Sequence, residues 1–173
     1  MIKLEKFDTT HYNNLISWID NKEDLMQFAG PILSFPLTTE QLEESFRDPN
    51  RHAFCIIDIN TQKDIGHCEL YLKENTIHLG RILIGDKNFR GKGIGKQIVS
   101  LLLAFGFTNF DKPIAELNVF DWNKPAIKSY IANGFMASSG ERAIIKMDGK
   151  IWTTVHMTIS KTEWSKRQNL EKA

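Results

Sequence analysis

The sequence predicts an α/β protein with a mixed, mostly antiparallel central sheet of about seven strands, flanked by about four helices. Three observations lead to this prediction: apolar residues alternate in several short segments, they recur at helical spacing between those segments, and polar turns join three consecutive strand candidates. The chain has 173 residues, of which 42% are hydrophobic and 25% are charged. This length and composition suit one folded domain that spans residues 1–173.

The first fifty residues predict an edge strand followed by helices. Apolar positions near Ile2–Phe7 indicate the strand, and four residues at helical spacing indicate a first helix, namely Tyr12, Leu15, Ile16 and Ile19. After the breaker Gly30-Pro31, Thr38 is a candidate N-cap for a second helix that runs to about Arg47. Gln41 occupies the capping-box position, and Leu37 and Leu42 occupy the positions of a hydrophobic staple.

Three strand candidates follow and are joined by short polar turns, which predict antiparallel neighbours. They are Ala53–Ile59, Ile65–Leu72 and Thr76–Ile84.

From Gly93 onward the apolar period becomes helical. Ile94, Ile98, Leu101, Leu102 and Phe105 form one apolar stripe of a helix about four turns long. The order of the later elements is a strand over Ile114–Phe120, a helix capped by Asn123 and ended by Asn133-Gly134, a strand from Phe135, and a hairpin of Ala143–Met147 and Ile151–Ile159. Asp148-Gly149 between the last two strands favours a tight turn with positive φ at both residues.

Composition excludes several classes of protein. The net charge is +1, so the global basic excess of a nucleic-acid binder is missing. The longest strongly apolar run, Ile98–Phe107, is shorter than the ~20 residues of a membrane-spanning helix. Charges within Met1–Phe7 do not fit a secretion signal, so a cytoplasmic protein is expected. Cys55 and Cys68 lie in apolar strand candidates, and we expect both to be reduced, buried thiols.

The segment Ile82–Lys96 predicts a phosphate-binding loop, because an apolar strand runs through a glycine-rich basic turn into a helix. Unpaired N–H groups at a helix start favour an anion, and glycines let the backbone approach it closely. Four cations accompany the single carboxylate of Asp86, namely Lys87, Arg90, Lys92 and Lys96. A diphosphate is therefore the expected ligand.

Spacing distinguishes three kinds of phosphate-binding loop. A Walker loop would need other residues in place of Arg90 and Gln97. A dinucleotide fingerprint that starts at Gly91 would need glycine or alanine in place of Lys96. The remaining pattern, [Q/R]-x-x-G-x-[G/A] after an apolar strand, is matched by Arg90, Gly93 and Gly95.

At these residues the sequence resembles the GNAT superfamily of acyl-CoA-dependent N-acetyltransferases. The segment Asn123–Phe135 also resembles the second family signature, N-x-x-A-x-x-x-Y-x-x-x-G-F, at every marked position. The branch of ribosomal-protein N-terminal and spermidine N-acetyltransferases is most similar, on Gly66-His67-Cys68-Glu69-Leu70 and Asp148-Gly149-Lys150. The resemblance implies acceptor-side helices in residues 1–50, an acyl-CoA-binding core in 76–135 and a C-terminal tail in 160–173.

The donor implied by this resemblance is acetyl-CoA. We expect backbone groups of Leu83 and Ile84 to pair with the pantetheine amides, as an added strand would. Asn123 is a second candidate for that arm, and Ser129 is a candidate for the distal end. The pyrophosphate would bind chiefly to backbone N–H groups of the loop, whose residues are Arg90, Gly91, Lys92, Gly93, Ile94, Gly95 and Lys96.

Tyr130 is the candidate general acid. A phenol with a pKa of about 10 is protonated at neutral pH and can donate to the departing thiolate. The family resemblance implies the same role. On helical spacing alone, Tyr130 would instead be a core aromatic one turn from Ile127.

The general base has several candidates. Parts of the family carry a glutamate on the strand before the loop, but the matching stretch Leu79–Ile82 contains no carboxylate. Glu69 is the first choice, His78 is the second, and either can act through water. Both can equally be surface strand residues. Arg81 is expected to be a salt-bridged structural residue, and the spacing of the other histidines implies no metal site.

The acceptor is predicted to be a small-molecule amine or a protein N-terminal amine. Six carboxylates in the N-terminal helical region favour a polycationic amine if they face the acceptor, although a solvated helix face explains them equally well: Asp20, Glu23, Asp24, Glu40, Glu43 and Glu44. No nucleic acid or membrane partner is expected, and both a monomer and a homodimer remain open. The alternative function is a non-catalytic acyl-CoA-binding or regulatory domain.

Overall fold

The computed structural model describes residues 1–140 and 142–171, and these form eight strands and six α-helices. The strands are β1 (Ile2–Lys6), β2 (Arg51–Asp58), β3 (Asp64–Leu72), β4 (Thr76–Ile84), β5 (Ile114–Phe120), β6 (Met136–Ala137), β7 (Ile144–Met147) and β8 (Lys150–Ser160). The helices are α1 (Tyr12–Ser17), α2 (Lys22–Ala29), α3 (Thr39–Phe46), α4 (Ile94–Asn109), α5 (Lys124–Ala132) and α6 (Lys161–Glu171).

The strand order is β1-β2-β3-β4-β5-β8-β6, and β7 pairs with β8 outside this path. Strand β4 pairs with β5 in parallel, while the β1/β2, β2/β3, β5/β8, β6/β8 and β7/β8 pairs are antiparallel. The predicted mixed, mostly antiparallel sheet is therefore confirmed, with one strand and two helices more than expected.

The chain divides into two compact units. The first contains Met1–Tyr71 and Gly80–Ile94. Its core lies between the N-terminal helices and strand β2, where the side chains of Leu15 and Leu42 are fully buried. The second unit contains Leu72–Leu79 and Gly95–Ala173. Its core includes Ile98 and Leu102 of α4 and Leu117 of β5, each no more than 1% exposed.

The N-terminal helices differ from the prediction in one respect. The single helix expected from Tyr12 to Ile19 ends at Ser17, and an additional helix, α2, begins at Lys22. Asn21 causes this restart, because its side chain accepts a hydrogen bond from the N–H of Asp24 at 2.9 Å. Ile19 is buried although it lies in the turn, which explains why its spacing looked helical.

Helix α3 begins as predicted after the N-cap Thr38, whose Oγ1 accepts from the N–H of Gln41 at 3.4 Å. Leu37 and Leu42 are both buried, as the hydrophobic staple requires. The Gln41 side chain, however, binds the Ser34 backbone and the Pro36 carbonyl instead of closing the capping box.

In the C-terminal region, the residues of the expected tail form helix α6 up to Glu171, and the ring of Trp164 lies 5.3 Å from that of Phe107 on α4. The turn between β7 and β8 is as predicted, since φ is +47° at Asp148 and +77° at Gly149. Among the helices described, none is long and apolar enough to cross a membrane.

Candidate active site

The glycine loop connects the end of β4 to the start of α4. Gly91 and Gly93 both have φ of +75°, a region that residues with a side chain rarely adopt. A Cβ added at either glycine would meet nothing within 4 Å. Glycine is therefore required at both positions for backbone conformation rather than for space.

The charged side chains of this loop differ in how they are placed. Lys92 and Lys96 are exposed, and the Lys92 ammonium lies 5.9 Å from the centre of the Phe89 ring. Arg90 instead donates from Nε to the Ile84 carbonyl at 2.9 Å and so ties the loop to the end of β4. This bond uses one of the two acceptor positions of the Ile84 carbonyl oxygen.

Helix α5 lies against the first turn of α4. A Cβ at Gly95 would lie 2.9 Å from the Oγ of Ser129, so a larger residue there would require the Ser129 side chain to move. Asn133 donates from Nδ2 to the carbonyl of Lys96 at 3.1 Å and to that of Ser129 at 2.9 Å. Ser129 is thus placed beside the loop, with its Oγ donating to the Pro125 carbonyl at 3.2 Å.

Asn123 is the N-cap of α5, and its Oδ1 accepts from the N–H of Ala126 at 3.3 Å. Its predicted role in holding pantetheine would therefore use the amide nitrogen of the same side chain. The residue matters first for beginning the helix that carries Tyr130.

Tyr130 lies on the inner face of α5 and is 8% exposed. Its ring contacts that of Phe135 edge to face at 6.0 Å. Burial raises the pKa of the phenol to about 12. Among the described residues, none forms a hydrogen bond with the hydroxyl, so it is protonated and free to donate to a ligand.

Glu69 is held in a buried ion-pair network that also contains Arg51, His67 and Arg81. It is 1% exposed. Its Oε1 accepts from His67 Nε2 at 2.9 Å and from Arg81 Nη1 at 3.3 Å, and its Oε2 contacts Arg51 Nη1. We call these four residues the Glu69 network.

The network makes Glu69 a poor proton acceptor. Burial by itself would raise the pKa of this carboxyl, but the hydrogen bond from His67 and the positive charges of Arg81 and Arg51 outweigh burial and lower the pKa to about 2. Burial lowers the pKa of His67, so its ring is neutral and its Nε2–H donates to Glu69. These contacts favour a structural role for Glu69 over the predicted role as general base. They also confirm that Arg81 is a salt-bridged residue.

His78, the second candidate base, lies in the other unit beside Glu116. Its Nδ1 is 3.5 Å from Glu116 Oε1 but forms no hydrogen bond within the described residues. Burial and the nearby charge of Lys73 lower the pKa of His78, so the ring is neutral at pH 7. Glu116 also binds Lys73 at 2.5 Å and His156 at 3.4 Å.

A groove lies beside the end of β4 and the beginning of the glycine loop. It has a volume of about 690 Å³, and its lining includes Trp18, three carboxylates (Asp20, Asp64 and Asp86) and two ammonium groups (Lys63 and Lys87). Of the six acidic residues that the sequence singled out, only Asp20 lines this groove. The other five lie on solvated helix faces, exposed except for the half-buried Asp24.

Sequence reasoning missed the groove and one further cluster. The ligand atoms of His11, Cys55 and Asp64 lie within 4.8 Å of one another, although they are far apart in the chain. Each of the three has a hydrogen-bond partner outside the cluster: His11 Nδ1 accepts from the N–H of Asp8 at 3.2 Å, Cys55 Sγ donates to the Gly66 carbonyl at 3.7 Å, and Asp64 Oδ2 accepts from Asn14 Nδ2 at 2.8 Å. Both cysteines are buried and unbridged, as predicted.

Comparison with known proteins identifies the family. The model of the acetyltransferase (GNAT) domain matches residues 2–136. An N-acetyltransferase 9-like protein of Nematostella vectensis is 18% identical, with 94% of this chain and 90% of that protein aligned.

Two solved structures share the fold. The spermidine N-acetyltransferase of Vibrio cholerae, in complex with CoA and spermine, has a TM-score of 0.79 and 19% identity and covers 95% of this chain and 98% of its own. A domain from Methanocaldococcus jannaschii has a TM-score of 0.72 and 21% identity and covers 92% of this chain and 98% of its own. With its two signature segments and the matched family model, the chain belongs to the GNAT acetyltransferase family and is an acyl-CoA-dependent N-acetyltransferase that uses acetyl-CoA as donor.

Proposed function

We propose that this enzyme acetylates the primary amino group of a small, polycationic amine by direct attack on the thioester of acetyl-CoA. The observation that carries this choice of acceptor is the groove beside the glycine loop, which is lined by Trp18 and three carboxylates.

The groove is built around the Trp18 ring. A Cβ at Gly85 would lie 1.9 Å from Trp18 Cδ2, so glycine at this position is required for the ring to lie against β4. Three carboxylates outnumber the two ammonium groups of the lining, and one of those ammonium groups, Lys87, is already 3.5 Å from Asp20. Carboxylates raise the local concentration of cations, and an aromatic face adds cation–π attraction. An acceptor with several positive charges would be attracted both by the carboxylates and by the ring of Trp18.

On the donor side, the loop residues Arg90–Lys96 hold the pyrophosphate mainly through backbone N–H groups. The backbone groups of Leu83 and Ile84 bind the pantetheine arm. Among the described residues, β4 pairs with β5 only over Thr76–His78, so the later part of β4 keeps backbone groups outside that ladder. Asn123 and Ser129 support the arm and the distal end of the donor.

The reaction forms a C–N bond and breaks the C–S bond. The amine attacks as the free base and loses a proton, for which we propose His78 through water, because His78 is neutral and Glu69 is tied to two arginines. A thiol has a pKa of about 8.5, well below that of the buried phenol. Tyr130 therefore stabilises the departing thiolate chiefly by donating a hydrogen bond, and the final proton can come from solvent.

The structural relative with bound spermine supports a polyamine as the acceptor. The direct test compares kcat/KM for spermidine and for butylamine, at low ionic strength and at about 0.5 M, where screening confines charge interactions to a few ångström. We expect spermidine to be preferred at low salt and the preference to shrink at high salt.

Two variants test whether the preference for spermidine comes from the carboxylates of the groove. Asp20→Asn should reduce the preference for spermidine about threefold, because one carboxylate of the groove is lost. Glu40→Gln is the matched control, since Glu40 is an exposed carboxylate of the same helical region outside the groove. Equal kcat/KM for the two amines at low salt, or a higher value for a basic peptide N-terminus, would overturn the proposed acceptor.

A further inference from the structure

Arg81 has an unusual backbone for a residue within a strand. Its φ is +47°, in the left-handed region that residues with a side chain avoid. The other two such residues in the described part of the chain, Gln62 and Asp148, lie in turns between strands. A left-handed residue within β4 interrupts the regular pleat and re-aims the residues that follow, as a β-bulge does.

The side chain of Arg81 is well placed to hold this conformation. It is 5% exposed, and its Nη1 donates to Ser45 Oγ at 2.8 Å and to Glu69 Oε1 at 3.3 Å. Ser45 belongs to α3, and Glu69 is itself fixed by Arg51 and His67. An unfavourable backbone conformation persists only where its surroundings determine it. Here the hydrogen bonds of the Arg81 guanidinium to Ser45 and Glu69 hold the left-handed backbone conformation.

The segment after Arg81 is also fixed at its far end. The N–H groups of Gly85 and Asp86 donate to the Ile65 carbonyl at 2.9 and 3.1 Å, and the Leu83 carbonyl lies so close to Gly66 that a Cβ there would be 2.3 Å away. Ile82–Ile84 is therefore held between two anchors, Arg81 and the start of β3. This is the segment whose backbone we assign to the pantetheine arm.

We propose that Arg81 is a positioning residue for acetyl-CoA: its buried guanidinium, bound by Glu69 and Ser45, holds the left-handed backbone of β4 at Arg81 and so presents the backbone of Leu83 and Ile84 to pantetheine. This inference rests on the proposed function, since it assigns the same segment of β4 to the donor. It places no atom of Arg81 on the substrate. Its loss should therefore weaken donor binding while the chemical step and the binding of the amine change little.

The test is the Arg81→Gly variant, because glycine adopts the same φ without strain and removes the guanidinium anchor, while Arg51 and His67 still bind Glu69. We expect KM for acetyl-CoA to rise about tenfold, with kcat and KM for the amine within about threefold of the parent values. Arg81→Lys keeps the charge but not the planar fork, so it should restore part of the affinity. Ser45→Ala removes one anchor and should raise KM for acetyl-CoA less than Arg81→Gly does. Arg47→Ala, at an exposed arginine paired with Glu44, is the matched control.

Three results would overturn the proposal: an unchanged KM for acetyl-CoA in both Arg81→Gly and Ser45→Ala, an equal rise in both KM values, or a loss of kcat at unchanged KM. If Arg81→Gly does not fold, the soluble Ser45→Ala variant decides on the same criteria. The Gly93→Val variant separates this inference from the proposed function. If Gly93→Val weakens acetyl-CoA binding and Arg81→Gly does not, the loop site stands and only the role of Arg81 is wrong. If neither weakens it, the donor site itself is misplaced.

Discussion

The glycine loop and the Glu69 network both concentrate charged side chains, but they use them in opposite ways. In the loop, Lys92 and Lys96 are exposed and the backbone conformation of Gly91 and Gly93 is the fixed element. In the network, Glu69 is 1% exposed and each of its oxygens has a charged or hydrogen-bonded partner. Exposed charges attract a ligand and can be replaced singly, whereas buried charges depend on one another.

The largest effect should follow from removing the carboxylate of the network. Glu69→Gln leaves two buried guanidinium groups without their anion, so we expect the free energy of unfolding at pH 7 to fall by about 3–5 kcal/mol. The folded pKa of about 2 lies below the ordinary 4.5, so this stabilisation is present above pH 4.5 and is lost as pH falls toward 2. Urea unfolding at pH 7 and at about pH 3.5 measures both values.

The control for that experiment is Glu44→Gln. Glu44 pairs with Arg47 at 2.6 Å, but both side chains are 72% exposed, so its removal should change stability little. If Glu69→Gln and the parent protein differ by the same amount at both pH values, the network does not hold an ionised carboxylate.

A smaller effect, on the rate alone, is expected for Tyr130→Phe. The variant loses only the donor to the departing thiolate, so kcat should fall roughly 10²-fold while the affinity for acetyl-CoA is unchanged. Steady-state kinetics and calorimetric titration measure the two quantities.

The pH profile of the parent enzyme tests whether the pKa of the Tyr130 phenol is raised. Since burial raises its pKa to about 12, the hydroxyl is protonated throughout the ordinary assay range, and kcat should show no alkaline decline from Tyr130. Normal turnover by Tyr130→Phe would mean that the ring only packs against Phe135 and that solvent alone assists the leaving group.

The smallest effects separate backbone from charge within the loop. Gly93→Val forces a β-branched residue to φ of +75° and should weaken acetyl-CoA binding about tenfold or more, while Lys92→Ala should weaken it only a few-fold. Calorimetric titration of both variants decides between the two contributions. A larger loss from Lys92→Ala would show that the ammonium group, rather than the backbone, holds the pyrophosphate.

The same contrast explains what sequence reasoning could predict. The glycine loop, the Asn123 cap and the Asp148-Gly149 turn are local, because the residues that decide them are neighbours in the chain. Strands β4 and β5 were predicted with the observed limits for the same reason. Tyr130 was proposed as the general acid from its helix motif, and the structure adds that the phenol is buried and that burial raises its pKa.

The parts that were not predicted depend on distant residues. Glu69 was the first choice for the general base, but nothing in the sequence indicates that Arg51 and Arg81 both reach it. The break between α1 and α2 was missed because buried Ile19 continues the apolar spacing past Ser17. The left-handed backbone of Arg81 carries no sequence signal, since glycine is the residue that usually marks such a position.

Trp18 gives the protein a built-in optical reporter. The chain has four tryptophans, and three of them, Trp122, Trp152 and Trp164, lie in the second unit among aromatic neighbours. Trp18 alone lies in the first unit, where it lines the groove against Gly85. The emission of an indole responds to the charge and the water around it. Replacing the other three tryptophans by phenylalanine would leave one fluorophore whose spectrum follows the occupancy of the groove without any attached dye.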